Sequence, residues 1–374
     1  MSKRISGIVF LLVIFLVPLL VFYFRGSDVG PVFPIQDDKT PPIKKAEQTI
    51  AEYFPGGSYL RELQIFARYL AGEKEQDGIY IGGDTLMLDV QPKSQDTINL
   101  NTLAMVDFVE DFSRPTYVML IPTACAVLQD KIPATAPLYN QKQQLIDAVY
   151  QRVSGHITAI DVYPALFGNQ KDYIYYRTDN SPTGLGGYYI YSVAAKKLGQ
   201  KARGLEQFDV EHLDYDYYGD LYEKAPYTEV RGDRVSAYIF SKYQRSYQMT
   251  HYDENGARRY FTLYPKYKEE LGDCMDVILG GMSPVIDIDI NSTQYNQRLL
   301  IFGDRSVQSY LPFLLIHYAQ VTVVDVTTVT PELLQELIHP ANYNQILFAF
   351  SADTFISKDI LGVLSQLHQA DLSE

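Results

Sequence analysis

The sequence predicts an α/β protein with a parallel sheet, a β-rich insertion and an N-terminal transmembrane helix. The last third of the chain alternates short apolar runs with segments of helical spacing, a pattern that produces parallel βαβ units. Residues 206–290 are rich in tyrosine and alternate over short lengths between turn residues, which is typical of β-strands. Residues 5–24 are uncharged and long enough to cross a bilayer.

The composition supports a large globular body and excludes two classes of partner. The chain has 374 residues, 47% of them hydrophobic, so a sizeable core is expected. The net charge of −13 argues against nucleic-acid binding and against docking on anionic lipid, because both rely on basic surface. Most of the 31 tyrosines are expected to be half-buried, although a tyrosine-rich surface also suits stacking on sugars.

The N-terminus has the features of a membrane anchor. Lys3 and Arg4 precede the apolar run at residues 5–24, which as a helix spans ~30 Å, the thickness of the bilayer hydrocarbon. The run ends without a small-x-small cleavage site. We therefore expect residues 1–25 to form an uncleaved signal-anchor in the cell membrane, single-pass, with the body outside the cytoplasm. The competing interpretation is a buried core helix.

The body is expected to begin after a linker. Residues 26–45 are rich in Pro, Gly and Asp and predict a flexible connection to a domain at residues 46–374. The tyrosine-rich segment predicts either an insertion at about residues 206–290 or an extended sheet edge, with a turn at residues 253–256. Before it we predict helices at residues 58–71, 141–154 and 183–198, a hairpin at 78–88 and a buried strand at 116–123.

The last third has the most regular pattern. It predicts strands at residues 298–302, 320–325 and 345–350, and helices at 306–318, 331–338 and 359–368. Ligands of parallel sheets bind at the carboxyl ends of the strands. One of these ends carries Gly303, Asp304, Arg305 and Ser306, so these residues are candidates for a site.

Residues 303–306 have the pattern of a turn that carries a nucleophilic serine, but another residue stands in place of that serine. Gly303 and Asp304 predict a tight strand-to-helix turn, and the next helix would offer backbone N–H groups and a positive dipole end to an oxyanion. In GDS-type (SGNH) hydrolases the residue after Gly-Asp is the nucleophilic serine, whereas Arg305 stands at that position here.

Residues 177–183 (Arg-Thr-Asp-Asn-Ser-Pro-Thr) complete a family resemblance. They resemble the Arg-Thr-Asp-His-His-Trp-Thr signature of the DHHW family, whose members are similar to SGNH-like alginate O-acetylation proteins. Residues 298–325 resemble the Gly-Asp-Ser block of that family, and residues 78–88 and 118–124 also fit. The resemblance runs from about residue 46 to the C-terminus. It implies an SGNH-like three-layer α/β/α fold, an extracytoplasmic setting, and acyl transfer or hydrolysis on cell-surface polysaccharide.

The departures from the signature predict a catalytically degenerate member, a pseudoenzyme. Only Asp179 remains of Asp-His-His-Trp, Ser181 takes the position of the imidazole, and Arg305 that of the nucleophile. A Ser/His pair acts as a unit, so its loss removes nearly all nucleophilic catalysis. Arg305 is expected to form a salt bridge with Asp179 across the site. All six histidines lie outside the two motifs: His156, His212, His251, His317, His339 and His368.

Three functions therefore compete. The first is binding or assembly in handling of surface polysaccharide or the envelope, with a polysaccharide or an envelope acyltransferase as partner. The alternative is an active O-acetyltransferase or acetylesterase that uses Ser306 or Ser181 as a relocated nucleophile. The third is a structural envelope protein without a ligand.

No cofactor or metal is expected. The two cysteines, Cys125 and Cys274, form no zinc motif, and either a disulfide or two separate buried thiols is compatible with the sequence. Residues 287–291 (Asp-Ile-Asp-Ile-Asn) begin like a calcium loop, but they lack its Gly and terminal Glu and alternate like a half-exposed strand. Residues 214–220, acidic and aromatic, predict a solvated loop, with contact to a sugar or cation as the alternative.

Overall fold

An eight-stranded sheet carries the body of the molecule. The computed structural model describes Leu16 and residues 57–240, 246–265, 274–291 and 295–370. The strands are β1 (Glu75–Gln76), β2 (Ile79–Ile81), β3 (Leu86–Leu88), β4 (Thr116–Ile121), β5 (Thr158–Ala159), β6 (Phe208–Tyr217), β7 (Asp233–Phe240), β8 (Tyr247–Asp253), β9 (Gly256–Tyr260), β10 (Val285–Ile290), β11 (Arg298–Gly303), β12 (Gln320–Asp325) and β13 (Gln345–Ser351).

Most helices are short. The α-helices are α1 (Gly57–Leu70), α2 (Gln95–Asp111), α3 (Ala124–Val127), α4 (Ala148–Arg152), α5 (Tyr163–Gly168), α6 (Gly184–Lys197), α7 (Asp220–Lys224), α8 (Val307–Leu314), α9 (Pro331–Leu337), α10 (Ala352–Ser357) and α11 (Ser365–Ala370). A π-helical segment, Gln141–Asp147, precedes α4. Single 3-10 turns cover Gln129–Lys131, Leu205–Gln207, Cys274–Val277, Leu315–His317, Pro340–Asn342 and Gly362–Leu364.

The central sheet is mostly parallel, as predicted. Its order is β5-β4-β13-β11-β12-β10-β8-β9, with parallel pairing from β5 to β12 and antiparallel pairing beyond. Gly303 at the end of β11 is in register with Asp325 of β12 and Ala349 of β13. Three strands therefore end together at the edge where the Gly303–Ser306 turn lies.

Both faces of the sheet are covered at its centre, which is why β11 and β13 are almost continuously buried. In β11, Leu299 and Ile301 contribute to one core cluster, and Leu300 and Phe302 to the other. The first cluster includes residues of α6 and α8, and the second includes residues of α2, α9 and α10. Side chains that alternate between two buried layers remove the polar positions that a one-sided strand would show.

The tyrosine-rich segment divides into two parts. Strands β6 and β7 form a separate antiparallel ribbon, while β8, β9 and β10 extend the central sheet. Asp287 lies in β10, where its carboxylate accepts hydrogen bonds from Gln320 and Thr322 of β12. The predicted loop at residues 214–220 is wrong for residues 214–217, which belong to β6. Their acidic composition concealed the strand.

The closing helix is displaced from its predicted position. A helix was expected at residues 359–368, whereas α11 begins at Ser365 after a 3-10 turn. A separate helix, α10, starts directly after β13. The predicted helix at 306–318 is also shorter, because α8 ends at Leu314 and continues as a 3-10 turn.

Residues 1–73 and 226–228 form a unit apart from the rest of the chain. Within it, α1 places the rings of Phe66 and Tyr69 against that of Tyr227, with centroids 6.2 and 4.7 Å apart. Among the residues that the structure describes, no helix is long and apolar enough to cross a membrane. Apart from Leu16, the predicted anchor at residues 1–25 and linker at 26–45 lie outside the described residues.

Cys125 is a free, buried thiol, so it forms no disulfide with Cys274. Burial, with a smaller contribution from Asp89, raises the pKa of Cys125 to about 12. Such a thiol is unreactive at neutral pH.

Candidate functional site

The two sequence motifs meet in one cavity of about 160 Å³ at the carboxyl ends of β11 and β13. We call it the motif cavity. Asp179, Asn180, Ser181 and Pro182 line it from the first motif. The second motif contributes Asp304, Arg305 and Ser306, while Leu88, Asp220, Leu221, Lys224, Ser351, Asp353 and Thr354 complete the lining.

Asp304 joins the ends of two strands. Its Oδ1 accepts the backbone N–H of Ser306 at 2.9 Å and the Ser306 hydroxyl at 2.5 Å. Its Oδ2 accepts the backbone N–H of Ser351 at 2.8 Å and the Ser351 hydroxyl at 2.7 Å. Asp304 and Ser306 are both buried. The hydroxyl of Ser306 is therefore a donor to a carboxylate, and no histidine is among the described residues that line the cavity beside it.

The predicted turn at Gly303 and Asp304 forms, but the N–H groups that we expected for an oxyanion are engaged. The amide of Ser306 donates to the Asp304 carboxylate, and that of Val307 donates to the Asp304 carbonyl. The amides of Gln308 and Ser309 donate to the carbonyls of Arg305 and Ser306. The start of α8 thus satisfies its own donors, in the tight pattern common at helix ends.

Asp179 is held by neutral donors. It is 3% exposed and accepts hydrogen bonds from the Tyr217 hydroxyl at 3.0 Å and the Ser181 amide at 2.8 Å. A Cβ at Gly219 would lie 2.6 Å from its Oδ2, so only glycine fits there. The predicted salt bridge between Asp179 and Arg305 is not among the ion pairs of the described residues.

A second buried carboxylate, Asp233, fixes the loop before Asp179. It accepts hydrogen bonds from the amides of Arg177 and Thr178, both at 2.8 Å, and from the hydroxyls of Thr178 and Tyr173, both at 2.5 Å. Asp233 is fully buried. A buried carboxylate with this many donors specifies one loop conformation, because losing any donor leaves it undersatisfied.

Arg177 connects the same loop to the hairpin β2–β3. Its Nε lies 3.5 Å from the Asp84 carboxylate, and the Arg177 carbonyl accepts the amide of Leu86. Burial by itself raises the pKa of Asp84, but hydrogen bonds from Lys131 and Thr85, together with the charges of Lys131 and Arg177, lower it below the usual value.

Asn180 and Asp353 form a polar pair in the motif cavity. The amide nitrogen of Asn180 donates to Asp353 Oδ2 at 2.9 Å. The other oxygens, Asn180 Oδ1 and Asp353 Oδ1, are buried and have no hydrogen-bond partner among the described residues. Burial and the nearby charge of Asp304 raise the pKa of Asp353, although bonds from Ser351, its own backbone and Asn180 oppose the shift.

No histidine is among the described residues that line the motif cavity. His317 is buried elsewhere and is hydrogen-bonded to the Tyr191 hydroxyl at 2.9 Å, and His212 is bonded to Ser236. His251 is paired within the sheet in β8. The hydroxyl of Ser181 lines the cavity without a hydrogen bond to another described residue. Among the described residues, no group of His, Cys, Asp or Glu side chains is arranged to hold a metal.

Comparisons with known proteins agree with the architecture. The family model described as DHHW protein matches residues 74–324. The chain belongs to the DHHW family. A crystal structure of a DHHW family protein from Eubacterium siraeum is similar at 18% identity, covering 78% of this chain and 97% of that one, with a TM-score of 0.63. Bacillus cereus PatB1 with a sulfonyl adduct is similar at 16% identity over 76% and 98%, with a TM-score of 0.62. No curated protein sequence matches the chain.

Several residues that line the cavity of this DHHW protein were not predicted from the sequence. Ser351 is the last residue of β13 and Asp353 lies just after it, at the same sheet edge as Asp304, so the carboxyl-end rule applied to this parallel strand predicts both. Asp220 and Lys224 belong to α7, which has no motif. Asp233 stands in an unremarkable Arg-Gly-Asp-Arg run, and no sequence signal indicates its role.

Proposed function

We propose that this DHHW protein binds cell-surface polysaccharide and does not catalyse acyl transfer by a serine nucleophile. In this proposal residues 1–25 anchor it in the membrane, and the body works outside the cytoplasm in envelope assembly. The observation that carries the proposal is the state of Ser306: its hydroxyl donates to Asp304, and no histidine is among the described residues lining the cavity.

The chemistry of the motif cavity supports binding over catalysis. A serine nucleophile needs a base that takes its proton and a donor set that receives an oxyanion. Here the candidate base positions hold Asn180 and Ser181, and the nucleophile position holds Arg305, a permanent cation. The amides of Ser306, Val307, Gln308 and Ser309 are engaged, and no imidazole is among the described residues that line the cavity.

A carbohydrate ligand fits the polar lining. Carboxylates, amides and hydroxyls of Asp179, Asn180, Ser181 and Thr354 surround the cavity, and such groups orient a ligand rich in hydroxyls. The resemblance of DHHW proteins to SGNH-like alginate O-acetylation proteins supports the same class of ligand. It also supports an SGNH-like three-layer α/β/α arrangement for this sheet, and an envelope acyltransferase as an assembly partner.

An esterase assay tests the absence of catalysis. We expect the purified full-length chain to hydrolyse p-nitrophenyl acetate no faster than its Ser306→Ala and Ser181→Ala variants. Phenylmethylsulfonyl fluoride should leave the mass of the chain unchanged. The positive control rebuilds the signature with Arg305→Ser and Ser181→His, which places a hydroxyl and an imidazole beside Asp179. A positioned general base contributes about 10²–10⁴-fold, so even a poorly aligned site should exceed the background about tenfold.

One observation favours the alternative of a relocated nucleophile: Ser306 lies 2.5 Å from a buried carboxylate. Turnover that Ser306→Ala abolishes, or a sulfonyl group found on Ser306, would establish a serine esterase or acetyltransferase and refute the binding-only function. The same result at Ser181 would lead to the same conclusion.

A further inference from the structure

We infer that residues 214–222 form a binding surface for a neutral polysaccharide chain that continues out of the motif cavity. We call this surface the tyrosine edge. The inference rests on the proposed function and specifies its ligand: a polymer of several sugar units that carries no carboxylates.

The tyrosine edge exposes aromatic rings. Tyr215 is 67% exposed and Tyr218 39%, and Tyr222 is half-buried beside them. The rings of Tyr218 and Tyr222 lie 4.5 Å apart and support each other. Burial and the charge of Asp216 raise the pKa of Tyr218, so its hydroxyl stays neutral.

Tyr215 lies in an irregular part of its strand. The pairing of β6 with β7 shifts register between His212 and Asp214 and again between Asp214 and Tyr217. Tyr215 therefore has no partner in the ladder, and bulges of this kind re-aim side chains. The Asp214 carboxylate caps the bulge by accepting the amides of Tyr215 and Asp216.

Hydrogen bonds connect the tyrosine edge to the first motif, whose residues line the motif cavity. Tyr217 is buried, and its hydroxyl donates to Asp179. The Thr178 carbonyl accepts the amides of Leu221 and Tyr222, which ties α7 to the first motif. Asp220, Leu221 and Lys224 of the same segment line the cavity. The exposed tyrosines are therefore close in the chain to residues that line the cavity, and a polymer longer than the cavity can reach both.

The chemistry of the edge selects the ligand. Aromatic faces pack against the C–H faces of sugar rings and supply contact area at low conformational cost. The exposed or half-buried carboxylates of Asp214, Asp216 and Asp220 accept hydrogen bonds from hydroxyls. The same carboxylates repel a polyuronate or a phosphate polymer, because like charges are unfavourable at short range. A neutral polysaccharide packs on the aromatic faces and donates hydrogen bonds to the carboxylates, and it is not repelled by their charge.

The test compares polymers and variants by affinity electrophoresis of the full-length chain. The gels contain a soluble neutral glucan, a neutral xylan, or polygalacturonate, at one ionic strength. We expect retardation by a neutral polymer and none by polygalacturonate. Tyr215→Ala and Tyr218→Ala should each weaken binding about tenfold, the loss of one aromatic contact. Phe261→Ala is the matched control, because Phe261 is 75% exposed outside the edge.

A cavity variant separates failure of the inference from failure of the proposed function. Ser181→Trp fills the motif cavity, and Ser154→Trp is its exposed control. If Ser181→Trp abolishes binding while the tyrosine variants bind normally, the cavity binds polysaccharide and the tyrosine edge does not. Polygalacturonate bound as tightly as the neutral polymers would refute the charge selection. No binding of any polymer would overturn the proposed function and the inference together.

Discussion

Asp353 is a carboxyl group whose surroundings favour the protonated form. Burial and the Asp304 charge raise its pKa from 3.8. Its Oδ1 is a buried acceptor with no partner among the described residues, and a proton there would turn an unsatisfied acceptor into a donor. A carboxyl with a raised native pKa binds more protons folded than unfolded. Its contribution to stability is therefore present at low pH and is lost as the pH rises through the native pKa.

Asp353→Asn tests this proton balance. Asparagine is a neutral replacement of similar shape, so the variant should match the wild type below about pH 4, and it should exceed the wild type in unfolding free energy as the pH rises through the native pKa of Asp353. Urea unfolding at a series of pH values measures the difference, in which the other titrating groups cancel. Asp353→Ala, which also loses the bond from Asn180, is the control. A difference that does not change with pH would show that Asp353 is ionised throughout.

At the scale of single residues, the sequence predicted which motif residues form the site but not which groups form hydrogen bonds with them. Asp179, Ser181, Arg305 and Ser306 all line one cavity, as their motif positions required. The Asp179 carboxylate accepts hydrogen bonds from the Tyr217 hydroxyl and the Ser181 amide, and neither partner was predicted from the sequence. Tyr217 comes from a distant strand, and hydrogen bonds that depend on three-dimensional proximity leave no periodic signal in the chain.

Helices α6 and α8 hold the two motifs together. Helix α6 starts immediately after the first motif, with the Thr183 side chain capping the Gly186 amide, and α8 starts immediately after Ser306. A Cβ on Gly187 would overlap the carbonyl oxygen of Ser309, so the helix backbones are in direct contact at this point. Close approach of this kind requires glycine.

Gly187→Ala should therefore destabilise the protein. Forcing a methyl group into a packed helix contact costs about 1–3 kcal/mol, whereas alanine at an open helical position gains up to about 1 kcal/mol over glycine. Gly168 at the end of α5 has open space around its Cβ position, so Gly168→Ala is the matched control and should be neutral or stabilising. Chemical unfolding of both variants measures the contrast. Equal stabilities would mean that the α6–α8 contact can relax.

Strands and helices with a clear hydrophobic pattern or a clear helix cap were predicted well, whereas a short helix without either was not. The strands β4, β11, β12 and β13 are apolar runs bounded by turns, and α9 has Thr330 as N-cap and Pro331 at its start, so each was found near its true bounds. Helix α10 was missed, because six residues with three buried side chains give too short a pattern. Its packing on the sheet stabilises it more than its own sequence does.

The whole chain is expected to behave as a membrane protein although the body is acidic. Full-length protein should sediment with membranes and be released by detergent but not by high salt, because the proposed anchor is apolar. A chain without residues 1–25 should remain in the soluble fraction. Protease added to intact cells should degrade the body, if it lies outside the cytoplasm. Full-length chain that is soluble without detergent would contradict the anchor.

The four hydrogen bonds to Asp304 have a practical consequence for ligand design. A carboxylate offers about four lone-pair sites, and the donors from Ser306 and Ser351 occupy them. Asp304 therefore presents no spare acceptor to a small molecule. An inhibitor aimed at this protein should draw its specificity from other residues of the lining, such as Ser181 and Asp220.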